Sequence, residues 1–331
     1  MKVAILDDYT DTARTTPAFA KLAGHEVSVY TDRAPSLETL AERLKDAEAL
    51  ILIRERMQVG EALLSRLPKL KMISHQSWHP NVDVDACTRR GVVFCDGRGT
   101  NRKYFASMSS TAELTWALIL AAMRGLPREI AALKAGVWQV SAGRTVAGKT
   151  LGIFGYGRTG RRVGLIGRAF GMDVLVWGRE GSKARATEDG LRIATGKAEL
   201  FETSDVLCVE VQLLPETHGI VTAEDLGRMK PDALFVNTAR APLVEPGALA
   251  AALKAGRPGF AAVDVFEQEP VVGGEHPLLH MDNVICTPHL GYASQDQLRE
   301  TFDLLIDQVV AFAEGKPIGV VNESVLARAA T

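Results

Sequence analysis

The chain of 331 residues predicts an α/β fold of two domains, each built on a parallel sheet, with the second inserted into the first. Three observations predict it. The length favours two hydrophobic cores over one. Short β-branched runs alternate with helical patterns, as parallel βαβ units require. One long apolar helical run separates two series of such strands, and a last amphipathic segment follows the second series.

The first series comprises KVAIL (2–6), HEVSVY (25–30), ALILIR (49–54), KMIS (71–74) and GVVFC (91–95). Between these runs, SLETLAERLKD and VDVDACTRR carry helix-start residues and helical spacing. After DGRGTNRKYF comes TAELTWALILAAMRGL (111–126), apolar nearly all round, which predicts a helix buried between two layers or two domains. The second series is TLGIFG (150–155), DVLVW (173–177), DVLCVEV (205–211), ALFVN (233–237), FAAVDVF (260–266) and NVICT (283–287). SQDQLRETFDLLIDQVVAFAEG closes the fold as an amphipathic helix. The inserted domain is expected to span 109–292, and the first domain 1–108 with 293–331.

Composition narrows the function. Apolar residues make up 47% and charged residues 24%, ordinary values for a soluble protein. A formal net charge of −2 gives no basic footprint for nucleic acid or an anionic membrane surface. No apolar run is long enough to span a bilayer. MKVAILDDY reads as a strand and not as a signal peptide. Cys87, Cys95, Cys208 and Cys286 show no metal-type spacing and fall in or beside apolar runs, the pattern of reduced packing residues in a cytoplasmic protein. His276 and His280 stand four apart, but Pro277 and the Gly273-Gly274 pair predict a loop there and no metal site.

The most specific local signal is LGIFGYGRTGRRVG. It sets Gly155, Gly157 and Gly160, with Tyr156, Arg158 and Thr159 between them, directly after a strand and at a helix start. The first glycine permits a tight turn, the second a close backbone approach to pyrophosphate, the third close helix–strand packing. The helix N-terminus then offers free N–H groups to phosphates. The next strand ends on Gly178 and Arg179, where an acid would accept the ribose 2′-OH. A glycine there removes repulsion of a 2′-phosphate and an arginine can pair with it, so the cofactor expected is NAD(P), with NADP favoured.

Three later strands end on residues suited to acid–base chemistry. FVNTAR ends on Arg240, DVFEQEP contains Glu269, and ICTPHLG contains His289. An arginine suits a carboxylate and a carbonyl oxygen that becomes negative. A histidine exchanges a proton with that oxygen near neutral pH, and a carboxylate on its other ring nitrogen orients it. With a nicotinamide, these are the parts for hydride transfer to a 2-keto acid.

From GYGRTG through VNTARAPLVEPGAL and AAVDVFEQEP to TPHLG, and over almost its whole length, the chain resembles the D-isomer-specific 2-hydroxyacid dehydrogenases. That family includes phosphoglycerate dehydrogenases and glyoxylate/hydroxypyruvate reductases. The resemblance implies two Rossmann-like domains, a dinucleotide-binding domain inserted into a flavodoxin-like substrate domain. It implies a cytoplasmic enzyme acting on a small 2-keto or D-2-hydroxy acid and dimerising through the helix from Thr111. By the same likeness Arg240 holds the substrate carboxylate, His289 is the acid/base, and Glu269 is its partner, with Glu267 an ordinary neighbour. Asp264 would bond the nicotinamide carboxamide, and Val211, Pro215, Thr238 and Gly291 would line the cofactor.

Departures from the family pattern concern the substrate. The family carries a glycine-containing loop after the fourth strand, but no glycine occurs from Ser74 to Asn81. Arg54, His75, Ser77 and Trp78 are therefore candidate substrate contacts in a bulkier loop, and Arg98, Arg102 and Lys103 add cations nearby in sequence. Glu210 stands where the family often has histidine. Two alternatives share the fold: a cofactor-sensing binding protein of the corepressor type, and a phosphoglycerate-specific dehydrogenase. The lack of peptide-recognition extensions weighs against the first, and the chain length, which leaves little room for a regulatory domain, against the second.

Overall fold

The computed structural model describes residues 1–76, 79–97 and 110–329. The chain divides into two compact units, Met1–Ser107 together with Gln295–Thr331, and Met108–Ser294. Ser77 and Trp78, like Arg98, Arg102 and Lys103, lie outside the described residues.

In the first unit, β1 (Lys2–Leu6), β2 (Glu26–Val29), β3 (Ala49–Leu52), β4 (Met72–His75) and β5 (Val93–Cys95) form a sheet in the order β2-β1-β3-β4-β5, parallel at every pairing. The helices α1 (Leu37–Leu44), α2 (Glu61–Leu64) and α3 (Val84–Arg89) connect them. Ser36 and Asp83 cap α1 and α3, their side chains accepting the N–H of Thr39 and Ala86. Leu40, Leu44, Leu63 and Ala86 from these helices close over Leu50, Leu52, Ile73 and Phe94 of the sheet.

The second unit begins with α4 (Ser110–Arg124) and α5 (Leu126–Lys134). Then follow β6 (Thr150–Phe154), α6 (Arg158–Ala169), β7 (Asp173–Trp177), α7 (Glu180–Glu188), β8 (Arg192–Ile193), α8 (Lys197–Thr203), β9 (Val206–Val209) and α9 (Ala223–Arg228). The series ends with β10 (Leu234–Asn237), α10 (Ala248–Lys254), β11 (Phe260–Val263) and β12 (Val284–Cys286). Its seven strands run parallel in the order β12-β11-β10-β9-β6-β7-β8, so the winding reverses between β6 and β9. The central strands β6, β9 and β10 are buried on both faces, as parallel strands covered by helices are. Trp116, Ile119 and Val163 of α4 and α6 pack with Ile153, Cys208 and Val236, and Phe201, Leu226 and Leu249 of α8, α9 and α10 pack with Leu207 and Phe235 on the opposite face.

The chain then returns to the first unit as α11 (Gln295–Ala313) and α12 (Ser324–Ala329). Ser74 of β4 donates to Leu305 O (2.9 Å) and Gln308 Oε1 (2.6 Å) on α11. Asn322 accepts the Phe94 N–H and donates to Val92 O at the edge strand β5.

Three expectations need correction. The helical run at 111–126 ends at Arg124, because Gly125 turns at φ +61° and a separate helix starts at Leu126 with Pro127 in its first turn. It is not buried on every side, since Glu113 and Ala117 are exposed. The strand read as 260–266 leaves the sheet after Val263, where Asp264 turns into a loop. No described helix is long and apolar enough to cross a membrane.

Candidate active site

The strand register builds the site. Phe154 pairs with Trp177 and Val209, Val209 with Asn237, Asn237 with Val263, and Val263 with Cys286. The residues immediately after them, Gly178, Gly155, Glu210, Thr238, Asp264 and Thr287, therefore stand in one row along the carboxyl edge of the sheet. Open α/β sheets bind ligands at that edge, at the point where the strand order reverses.

Arg240, Glu269 and His289 rise from this row. Asn237, the last residue of β10, shapes the first turn: its Oδ1 accepts the N–H of Ala239 (3.1 Å) and its Nδ2 donates to Arg240 O (3.0 Å). Glu269 accepts the Phe266 N–H on Oε1 at 2.9 Å and faces His289 Nδ1 with Oε2 at 2.6 Å. A carboxylate that accepts at Nδ1 fixes the ring proton there, leaving Nε2 as the nitrogen that exchanges a proton with a ligand. Burial raises the Glu269 carboxyl's affinity for protons, but the bond to His289, its charge, the Phe266 amide and Arg240 outweigh it. The group is held below its ordinary pKa and stays an acceptor at neutral pH.

His289 itself sits at φ +53°, a backbone conformation uncommon for a residue with a side chain. Asp264 supports it. This fully buried carboxylate accepts Thr287 Oγ1–H (2.6 Å) and the Leu290 N–H (2.7 Å) on Oδ1, and the Gly291 N–H (2.8 Å) on Oδ2. Gly291 O in turn accepts the hydroxyls of Ser110 (2.9 Å) and Thr111 (2.8 Å) at the start of α4. The loop carrying the histidine is thus tied from both sides. The resemblance assigned Asp264 to the cofactor carboxamide; its oxygens hold this loop, and Oδ2, with one recorded donor, keeps a second acceptor site.

The glycine loop fits a dinucleotide phosphate. Gly155 turns at φ +96°, and a Cβ on Gly160 would stand 2.2 Å from Gly155 O, so the helix start packs directly on the turn. A Cβ on Gly157 would meet nothing within 4 Å, which leaves open space in front of the loop. Gly157 caps α6 without a side-chain bond, so the first N–H groups of a twelve-residue helix face that space. Tyr156 does not line it: its ring is fully buried, its hydroxyl donates to Asp189 (2.9 Å), and its N–H is given to Ser182 Oγ (3.2 Å). Arg158 is exposed and Thr159 half-buried in the first turn of α6.

At the end of β7, a Cβ on Gly178 would approach Ser182 Cβ at 3.1 Å, a steric reason for glycine beside any electrostatic one. Arg179 is exposed at the N-cap of α7. Val211 follows Glu210, and Pro215 opens a short 3-10 helix, Pro215–Thr217, beyond the same edge.

In the first unit, Arg54 follows β3 at φ +58°, and His75 is the last residue of β4. His75 is 1% exposed, its Nε2 lies 3.0 Å from Arg54 O, and its ring packs near His79 and Phe94. It is a strand residue in the core and not an exposed loop residue. His276 meets Glu267 at 2.9 Å and heads a short 3-10 helix, Pro277–His280, so Glu267 has a partner of its own apart from His289. Among the described residues no cluster of three metal-ligating side chains occurs.

Residues 116–291 match the family described as D-isomer specific 2-hydroxyacid dehydrogenase, NAD binding domain. The chain is 35% identical to the glyoxylate reductase of Aeropyrum pernix over 91% of both chains. It is also 35% identical to the D-3-phosphoglycerate dehydrogenase of Methanocaldococcus jannaschii over 84% of its length, and there it spans only 52% of the relative. A solved phosphoglycerate oxidoreductase from Vibrio cholerae o395 is 47% identical, with a TM-score of 0.90 over 95% of this chain and 99% of that one. The glycine cradle and the paired histidine and glutamate lie within the matched region, at the carboxyl edge of the sheet. The chain belongs to the D-isomer specific 2-hydroxyacid dehydrogenases, a family of NAD-dependent oxidoreductases.

Proposed function

We propose that this chain interconverts a small 2-keto acid and its D-2-hydroxy acid with NAD(P), using Arg240, Glu269 and His289. The observation that carries the reading is the 2.6 Å contact of His289 Nδ1 with Glu269, set on the same sheet edge as the glycine cradle. A bound NAD(P)H supplies hydride to the keto carbon. His289 Nε2 gives the oxygen its proton, and the Glu269 carboxylate stabilises the imidazolium before that transfer. Arg240 binds the substrate carboxylate and the oxygen on which charge develops. In the oxidising direction the same histidine accepts the proton.

NADP is the favoured cofactor in this reading, with Gly178 carrying no acid and the exposed Arg179 available to a 2′-phosphate. A reducing, cytoplasmic setting accords with four free thiols. A homodimer is supported by α5 and the segment after it, where Ile130, Leu133, Val137 and Trp138 are 52%, 60%, 49% and 76% exposed. In this reading the contact lies on α5, one helix later than the helix from Thr111.

The test is steady-state turnover with NADPH and NADH against glyoxylate, hydroxypyruvate and other 2-keto acids, with 3-phosphoglycerate in the oxidising direction. An NADPH advantage that drops about tenfold or more in Arg179→Ala supports the 2′-phosphate reading; an unchanged ratio removes it. The phosphoglycerate-specific reading is favoured by the 47% identity to a phosphoglycerate oxidoreductase, and 3-phosphoglycerate as the preferred substrate would select it. Tight cofactor binding with no turnover of any acid would select the sensing protein.

A further inference from the structure

Glu210 follows β9 at the point where the strand order reverses, directly under the glycine loop. The Cβ positions of Gly155 and Gly160 would fall 2.8 Å from Glu210 O and 3.2 Å from Glu210 Cβ. By the alternation of β9 its side chain shares the face of Cys208, between α4 and α6. There Oε1 is buried with no hydrogen-bond partner among the described residues.

Burial pushes the Glu210 carboxyl up to about 8, against the opposing influence of Thr238. No charged group on the elements around it, the glycine loop, α4, α6 or β10, is among the influences on this carboxyl. Its titratable neighbour is the Cys208 thiol, which burial, and secondly Glu210, holds well above its ordinary value.

We propose that Glu210 works as an uncharged acid beneath the phosphate loop, so that dinucleotide binding is tight only while Glu210 holds its proton and is accompanied by proton uptake at alkaline pH. The inference rests on the cofactor reading given above. The ionised carboxylate would set a negative charge, with an unpaired buried oxygen, against the phosphates held by the loop. A bound dinucleotide therefore shifts Glu210 further toward its protonated form. By linkage, affinity is level at neutral pH and falls once the free protein begins to lose that proton.

The experiment is a fluorescence titration of the whole chain with NADH and with NADPH from about pH 6.5 to about pH 9.5, for the wild type and Glu210→Gln. The wild type is expected to lose affinity by about tenfold per pH unit above pH 8, and E210Q to lose markedly less. Parallel profiles for the two proteins would overturn the inference and leave the cofactor reading intact. Absence of wild-type binding at neutral pH would overturn the cofactor reading, and this inference with it. A second measurement needs no variant: calorimetric binding of NADH by the wild type near pH 8.5, in two buffers of different ionisation enthalpy, counts the protons. Net uptake of a large fraction of one proton supports the role of Glu210, and zero uptake contradicts it.

Discussion

His289 Nδ1 lies 2.6 Å from Glu269 Oε2, while Glu269 Oε1 takes the Phe266 N–H at 2.9 Å. The carboxylate is anchored by backbone on one side and orients the imidazole with the other. Glu269→Gln retains an acceptor for the ring N–H but removes the charge that stabilises the imidazolium. It is expected to lower kcat by about ten- to a hundredfold, with Glu269→Ala lower still and cofactor affinity unchanged in both. Equal kcat for E269Q and the wild type would make the contact purely structural.

Asp264 satisfies three donors of the loop that carries His289. Asp264→Asn must turn an NH2 group toward at least one of them, leaving a buried donor unpaired. The expected cost is about 1–3 kcal/mol of stability, read as a fall in Tm, together with loss of turnover as the histidine loosens. Unchanged melting and unchanged kcat would show that the loop holds without this carboxylate.

The glycines separate structure from binding. A Cβ on Gly160 collides with backbone, whereas one on Gly157 meets nothing and points into open space. Gly160→Ala is expected to depress Tm and cofactor affinity together. Gly157→Ala, at φ −84°, is expected to melt like the wild type yet bind NAD(P)H more weakly. Wild-type affinity in G157A would move the phosphates away from this loop.

Glu210 has a consequence for the protein without ligand. Its folded pKa, about 8, lies above the value of an unfolded glutamate, so the folded state holds the proton more tightly. Its stabilising contribution is full below the unfolded value and is lost as pH rises toward the folded one. Relative to Glu210→Gln, the wild type should lose Tm progressively from about pH 5 to about pH 8 and then level off. A constant gap across that range would contradict burial of an ionisable group.

The exposed face around α5 predicts association. Light scattering should give twice the chain mass for the wild type and the single-chain mass for Leu133→Asp combined with Trp138→Asp, with folding retained because both side chains are exposed. A monomeric wild type would leave that face without its partner.

Much of the second unit is legible in the sequence because its signals are local. The β-branched run of β6, the spacing of Gly155, Gly157 and Gly160, and the helix behind them follow one another within one βαβ unit. The two residues of β8 are too few for any periodicity, and the helix break at Gly125 is hidden inside a continuous apolar run. The work of Asp264 depends on contacts 23 to 27 residues away, which no local pattern carries. Asn237 is a plain strand-end residue until its side chain is seen closing the turn before Arg240. Glu210 is readable only as a departure from the family, because its meaning lies in what surrounds a buried carboxyl. Ser77 and Trp78 stay as sequence proposals.

The proposed role of His289 is proton exchange during hydride transfer between NAD(P)H and a 2-keto acid. The direct measurement is keto-acid-dependent oxidation of NADPH and NADH by the wild type and by His289→Asn, with cofactor affinity determined for both. Turnover that falls by about 10²–10⁴-fold in H289N at unchanged cofactor affinity is the predicted result. Turnover by H289N at the wild-type rate would contradict it.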